Sequence, residues 1–200
     1  MANTIAPAGA SPVRSITGAS WTGATNLYFI PQADGSQYQQ GDFVGVAGGA
    51  DANGVPAIAK ASVAGNYRGI LTGALLTYPG PSLAATALNY TTQIVPAVKA
   101  QGYYAMVMDD PNILCVLQDD GAVALTAAAI GQNANIVVAN PTGLSQVSGT
   151  TLGTASVATT STLTVKIMGL SPEPNNTIGK YANWLVKINT HDLVGATTGI

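Results

Sequence analysis

A chain of 200 residues suits one domain, or one domain with an extended arm, and can bury a core without disulfide staples. Only 8% of its residues are charged, against 47% hydrophobic, and its net charge is −2. Nucleic-acid binding is excluded on this reading, because it needs clustered Lys and Arg, and the seven here, from Arg14 to Lys187, are scattered singly. The apolar runs fall well short of the ~20 residues of a membrane-spanning helix. Met1-Ala2-Asn3-Thr4 does not open a signal peptide, having neither a basic start nor an unbroken apolar run. Cys115 is the single cysteine, so no intrachain disulfide forms, and synthesis in a reducing cytoplasm is expected.

Residues 1–25 read as an extended arm, with Pro7 and Pro12 opposing helix and Gly9, Gly18 and Gly23 opposing a packed strand. The arm carries Ile5, Val13, Ile16 and Trp21, an apolar series that must lie on something, either its own domain or a neighbour. Residues 26–200 form one β-rich domain of short strands and turns. Strands are predicted over Leu27–Ile30, Asp42–Val46, Val55–Ala61, Arg68–Leu76, Thr91–Val98 and Tyr103–Met108, with a surface loop over Gly48–Gly54 and a break at Pro79-Gly80-Pro81. Tyr103-Tyr104 opens its strand with one ring on each face, one buried and one at the surface. In Ile113–Leu117 apolar residues fall on both faces, the mark of a strand buried on both sides. Thr126–Ile130 is the one short helix, with Thr126 as N-cap and Gly131 as its stop. Asn135–Ala139 returns to strand.

The cleanest alternation comes late. Leu163, Val165 and Ile167 share one face and Thr164 and Lys166 the other; Trp184, Val186 and Ile188 share a face from which Lys187 and Asn189 point away. Between these strands, Ser171–Asn176 is a loop by composition. No repeat of fixed period occurs. The fold class that follows is all-β: a barrel or sandwich of many short antiparallel strands, an extended N-terminal arm and at most one short helix.

Catalysis fails on inventory. His191 is the one histidine and Glu173 the one glutamate. A triad would need His191, expected as an exposed or interfacial residue beside Asp192 near the end of the chain, and neither Gly18-Ala19-Ser20-Trp21 nor Gly143-Leu144-Ser145-Gln146 makes a nucleophile elbow. Asp109-Asp110 and Asp119-Asp120 bracket a strand, about 30 Å apart, too far for one glycosidase pair. Each pair reads as turn chemistry in preference to a calcium site. Asp51-Ala52-Asn53-Gly54 lacks the downstream bidentate glutamate of a calcium loop and reads as a β-turn. Cys115 reads as core packing, Trp184 as a core anchor and Trp21 as a contact residue. No P-loop or dinucleotide fingerprint is present. The formal sequons Asn89-Tyr90-Thr91 and Asn175-Asn176-Thr177 carry little weight without a secretion signal. The expectation is a protein without catalytic residues, cofactor or metal.

The order of several segments resembles the head decoration, or capsid cement, proteins of tailed bacteriophages. The matching pieces are Ile16–Gly23 leading into Tyr28-Phe29-Ile30-Pro31, Gly41-Asp42-Phe43-Val44 with the Gly48–Val55 loop, Met108–Leu114, Gly131–Ile136, Ala158–Leu163 and Trp184–His191. The Asp109-Asp110-Pro111 and Trp184–Asn189 pieces are the more specific, and Cys115 departs from a bulkier residue expected there. The resemblance implies a β-barrel-like structural protein on the outer capsid surface of the virion, bridging major capsid protein subunits to stabilise the DNA-filled head. Homo-oligomers, commonly trimers and sometimes dimers, are implied with it. Contacts to the capsid or to sister subunits are expected from Ile5, Val13, Arg14, Ile16 and Trp21, with Ile5–Trp21 adding a strand to a neighbour's sheet edge. A tail-fibre or surface-adhesin module is the alternative; it would more often show repeats or an aromatic carbohydrate patch. A cell-wall or glycan hydrolase is the second alternative, against which the inventory stands.

Overall fold

A computed structural model describes residues 3–63, 65–75, 94–140 and 147–194. Leu76, the Pro79-Gly80-Pro81 break, Thr91–Gln93, the first sequon and Gly143–Gln146 lie outside the described residues. Five strands close a barrel in the order β2-β5-β4-β6-β8: β2 (Asn26–Ile30), β4 (Phe43–Ala50), β5 (Pro56–Lys60), β6 (Gly69–Leu75) and β8 (Tyr103–Met108). A five-stranded antiparallel sheet follows the order β1-β9-β14-β13-β10, from β1 (Ser11–Ser15), β9 (Ile113–Gln118), β14 (Asn183–Ile188), β13 (Val165–Leu170) and β10 (Asn133–Ala134). Two ribbons complete the strands among the described residues, β3 (Tyr38–Gln39) with β7 (Ile94–Val95) and β11 (Ile136–Val137) with β12 (Thr151–Leu152). The chain is thus nearly all β, as its composition and turn spacing predict. One barrel pairing is parallel, β2 with β5 at Phe29 and Ala57. The helical content described is two short 3-10 turns, Ala127–Ala129 and Thr154–Ser156, in place of one helix; Thr126 takes the N-cap position of the first without a side-chain bond.

Period-two alternation divides the core in two. Val44, Leu71 and Val107 point into the barrel with Tyr28, Ile30 and Ile58. Their neighbours Phe43, Ile70 and Met108 point the other way, onto Ile113, Cys115, Leu117, Trp184, Val186 and Ile188 of the sheet. At these three pairs the barrel strands are therefore buried on both faces, and Phe43 meets Tyr67 edge-on at 5.8 Å between ring centroids. Trp184 is fully buried, as its face-mates require.

The late strands carry the clearest register. Val165 opposes Ile188, Lys166 opposes Lys187 and Ile167 opposes Val186, and a bulge at Met168 shifts the rest. Strand β4 runs on to Ala50, through the stretch expected as a loop, because Val46 pairs with Ile58 and Ala50 with Pro56 around a bulge. Tyr103 and Tyr104 are both half-buried, not split between core and surface. Tyr103 leans on the barrel core, while the Tyr104 hydroxyl donates to Asp51.

Asp119 ties the end of β9 to the start of β14. Its buried carboxylate accepts from Gly121 N (2.9 Å) and Tyr181 N (2.6 Å) on Oδ1, and from Ala182 N (3.0 Å) and Trp184 Nε1 (3.0 Å) on Oδ2. Replacing it would strand four donors in the interior, three of them main-chain. Asp119→Ala is expected to cost about 3 kcal/mol or more, measured as a lowered urea midpoint together with a changed near-UV signal from Trp184. An unchanged midpoint would mean that the donors find other acceptors.

Candidate interaction surface

The N-terminal segment is built into the fold. Ser11, Pro12, Arg14 and Ser15 pair with Val116, Cys115, Leu114 and Ile113 of β9, with Val13 bulged between. The opposite side of β1 is occupied as well: Ser15 N donates to Ala19 O at 2.7 Å and Trp21 N to Val13 O at 3.0 Å. The strand expected to extend a neighbour's sheet thus spends its main-chain groups within its own chain. Further back, Gln118 pins the segment by accepting from Ala6 N (2.8 Å) and donating to Thr4 O (3.0 Å). Asn3 donates to Thr177 O and Lys180 O.

Two glycines make this docking possible. Gly9 (φ +66°) and Gly41 (φ +89°) lie backbone to backbone, and Ala10 N donates to Gly41 O at 2.9 Å. A Cβ on Gly41 would stand 2.7 Å from Ala8 O, and one on Gly9 would stand 2.6 Å from Gly41 O. The segment is seated here because no side chain intervenes.

What remains outward on this segment is apolar. Ile5 is 60% exposed, Ile16 49% and Val13 37%, and Arg14 is exposed beside them. Trp21 behaves differently from a free contact residue. It is half-buried, packs against the core and donates its indole N–H to Ala24 O at 3.2 Å. Its ring borders a cleft of about 350 Å³ between the segment and the barrel, lined also by Ala8, Ala10, Pro12, Leu71 and Thr72. Four of the five expected contact residues therefore stand on the surface of one clamped segment, and the fifth braces it.

The residue types from which acid–base or metal chemistry would be built are engaged elsewhere. Asp42 is buried, paired with Lys60 at 2.9 Å, and accepts from Ser148 Oγ (2.5 Å) and Gln39 N (2.8 Å). Asp110 accepts from Asn112 N in a turn, while Asp109 accepts from Asn26 Nδ2 and the Tyr28 hydroxyl. Asp120 accepts from Ala122 N, Thr154 N and Thr154 Oγ1. Asp51 closes its β-turn; burial pushes its carboxyl up, but bonds from Tyr104, Asn53 and Val55 outweigh that and hold it at about 2. Among the described residues no three His, Cys, Asp or Glu side chains gather as metal ligands. No helix among them is long and apolar enough to cross a membrane.

His191 corrects an expectation. It is buried, not exposed, because Tyr67 N donates to Thr190 O and Asp192 N to Tyr67 O, stitching the chain alongside Tyr67. Its Nδ1 accepts from Leu193 N at 3.1 Å, which places the proton of the neutral ring on Nε2, an atom with no partner among the described residues. Burial lowers its pKa below 6.5, aided by Arg68 and opposed by Asp192. Arg68 in turn is held by Asp192 at 2.9 Å. Cys115 is buried in the sheet's inner face, and desolvation pushes its thiol up to about 12.

Two measurements follow. With a native pKa below the unfolded value, His191 stays neutral while the unfolded chain takes up a proton, so its contribution to stability holds above pH 6.5 and fades as pH falls below it. The denaturation midpoint of the protein should drop between pH 7 and pH 5 more steeply than that of His191→Gln; equal slopes would refute a neutral buried ring. Cys115 should resist a thiol reagent at pH 8 in the native state and react once unfolded, and fast native labelling would contradict its burial.

No family model matches the chain, and neither the curated proteins nor the solved structures searched contain a match.

Proposed function

We propose that this chain is a non-catalytic structural protein of a tailed-bacteriophage virion. It decorates the outer capsid surface and bridges major capsid protein subunits to stabilise the DNA-filled head, acting as a homo-oligomer in which a trimer is favoured over a dimer. The observation that carries this reading is the clamped N-terminal segment with Ile5, Val13 and Ile16 turned outward. Apolar side chains on a segment already anchored to its own domain can bind with less backbone ordering than a mobile arm would need. A stable contact needs about 1,600 Å² in total, and repetition over many equivalent sites multiplies modest contacts by avidity. The saturated carboxylates, buried thiol and buried imidazole support a role in which no molecule is transformed. Low charge suits a protein held among neighbours, where repulsion from solvent-borne copies matters little.

Immunogold labelling of purified particles with antibody to this chain tests the reading. Gold over the heads is the expected result; gold confined to the tails, or particles free of label, would overturn it. Ile5→Ser, Val13→Ser and Ile16→Ser together should lower head occupancy while leaving thermal stability within about 0.5 kcal/mol per site.

A further inference from the structure

Every Lys, Arg, Asp and Glu of the sequence falls among the described residues. Lys60 and Arg68 are paired with Asp42 and Asp192, and Lys99 is folded inward onto Ser36 O and Asp34 O. Four cations remain without an Asp or Glu side chain within 4.0 Å: Arg14, Lys166, Lys180 and Lys187. Three of these four stand in one row across the outer face of the five-stranded sheet. Arg14 opposes Leu114, and Lys166 opposes Lys187. Leu185 opposes Val116 and Val186 opposes Cys115, so the next step of that register sets Lys187 beside Leu114. Directly opposed residues share a face. Ile113, Cys115, Val165, Val186 and Ile188 fill the inner face, which leaves Arg14, Lys187 and Lys166 on the outer one around Leu114, itself only 5% exposed. Three strand gaps of about 4.8 Å give the row a length of roughly 14 Å.

We propose that this row is a docking site for an acidic, carboxylate-bearing surface of a partner protein. Like charges directly opposed across a strand pair are unfavourable, and Lys166 with Lys187 is such a pair, exposed and half-exposed, on a chain with few charges to place. A carboxylate seated between them relieves the repulsion. Exposed Met168 and Val13 flank the cations, so the surface offers apolar contact beside charge, as a folded protein partner would use. A polynucleotide fits worse. Three cations release few counterions, the chain as a whole is negative, and the sheet's one aromatic, Trp184, is buried on the opposite face where no base can stack. The inference deepens the decoration reading by naming the chemistry of the partner, and it rests on that reading only for where the partner resides.

Poly-L-glutamate serves as the probe, with a DNA duplex and phosphatidylglycerol vesicles as competing polyanions. The protein should bind poly-L-glutamate with an affinity that falls as salt rises. The combined variant Arg14→Gln, Lys166→Gln, Lys187→Gln should lose about tenfold or more, and Lys180→Gln, outside the row, should not. The single variant Lys166→Gln, at an exposed position, keeps the test open should the combined variant fold poorly. Equal losses from Lys180→Gln, no loss from the row variants, or tighter binding of DNA or vesicles would each overturn the proposal. Loss of probe binding in a protein that never labels heads removes the decoration reading alone. Head labelling with an indifferent row removes this inference alone.

Discussion

Strands β4, β6 and β8 form a wall shared by two cores, and the rest of the molecule is arranged around that constraint. Each strand sends alternate side chains into the barrel and onto the sheet, as Val44 and Phe43, Leu71 and Ile70, and Val107 and Met108 do. A slip of one residue in any of them would exchange the two sets, so register is fixed from both sides at once. Burial of each large side chain is worth about 1.5–3 kcal/mol. Where it is so occupied, at Phe43-Val44, Ile70-Leu71 and Val107-Met108, the wall has no face left for reactive groups. Polar side chains are displaced to strand ends, to the turns and to the far side of the five-stranded sheet.

The displaced polar groups hold distant segments together. Asp42 joins the start of β4 to Ser148, more than a hundred residues away, and Asp119 gathers the Gly121 turn with Tyr181, Ala182 and Trp184. Short polar side chains do the same work as salt bridges in a more highly charged protein. Thr164, for example, shares its single Oγ1 proton between Val63 O and Asn135 Oδ1, each 3.1 Å away. A carboxylate whose lone pairs are all taken by fixed N–H donors holds its geometry well, and it has no acceptor left for a substrate proton. Structural thrift and the absence of available acid–base groups at these positions have one cause.

Much of the strand layout is legible in the sequence, because local alternation decides it. Asn183–Asn189 and Tyr103–Met108 read as strands from their own residues, and the structure has strands at Asn183–Ile188 and Tyr103–Met108. Ile113–Leu117 reads as buried on both faces, and its faces are indeed covered at Leu114 as well as at Ile113, Cys115 and Leu117. What local pattern misses is set by distant partners. Gly48 and Gly49 look like loop residues, yet Ala50 finds Pro56 across a bulge and the strand continues. His191 looks terminal, yet pairing beside Tyr67 buries it. The sequence leaves open whether the N-terminal segment lies on its own domain or on a neighbour, because its anchors are Gly41, Gln118 and β9, none near it in the chain. Its spaced apolar residues are legible in the sequence itself. Their fixed presentation depends on the Gly9–Gly41 contact, which no pattern in residues 1–25 reveals.

Charge shows the same division more sharply. Read along the chain, Arg14, Lys166 and Lys187 are isolated, and isolation is the ground for setting nucleic-acid binding aside. Alternation already places Lys166 and Lys187 on the outward faces of their strands; these are the residues the sequence reading missed as site candidates, though the signal for orientation was present. The missing information is which strands are neighbours. Once β13, β14, β9 and β1 lie side by side in that order, three scattered cations become one row. Sequence spacing therefore measures charge clustering well on a helix, where neighbours are three and four residues apart, and poorly on a sheet, where they belong to different strands. In a protein with so few charges, the pairing order of the sheet decides whether its cations are dispersed or act together.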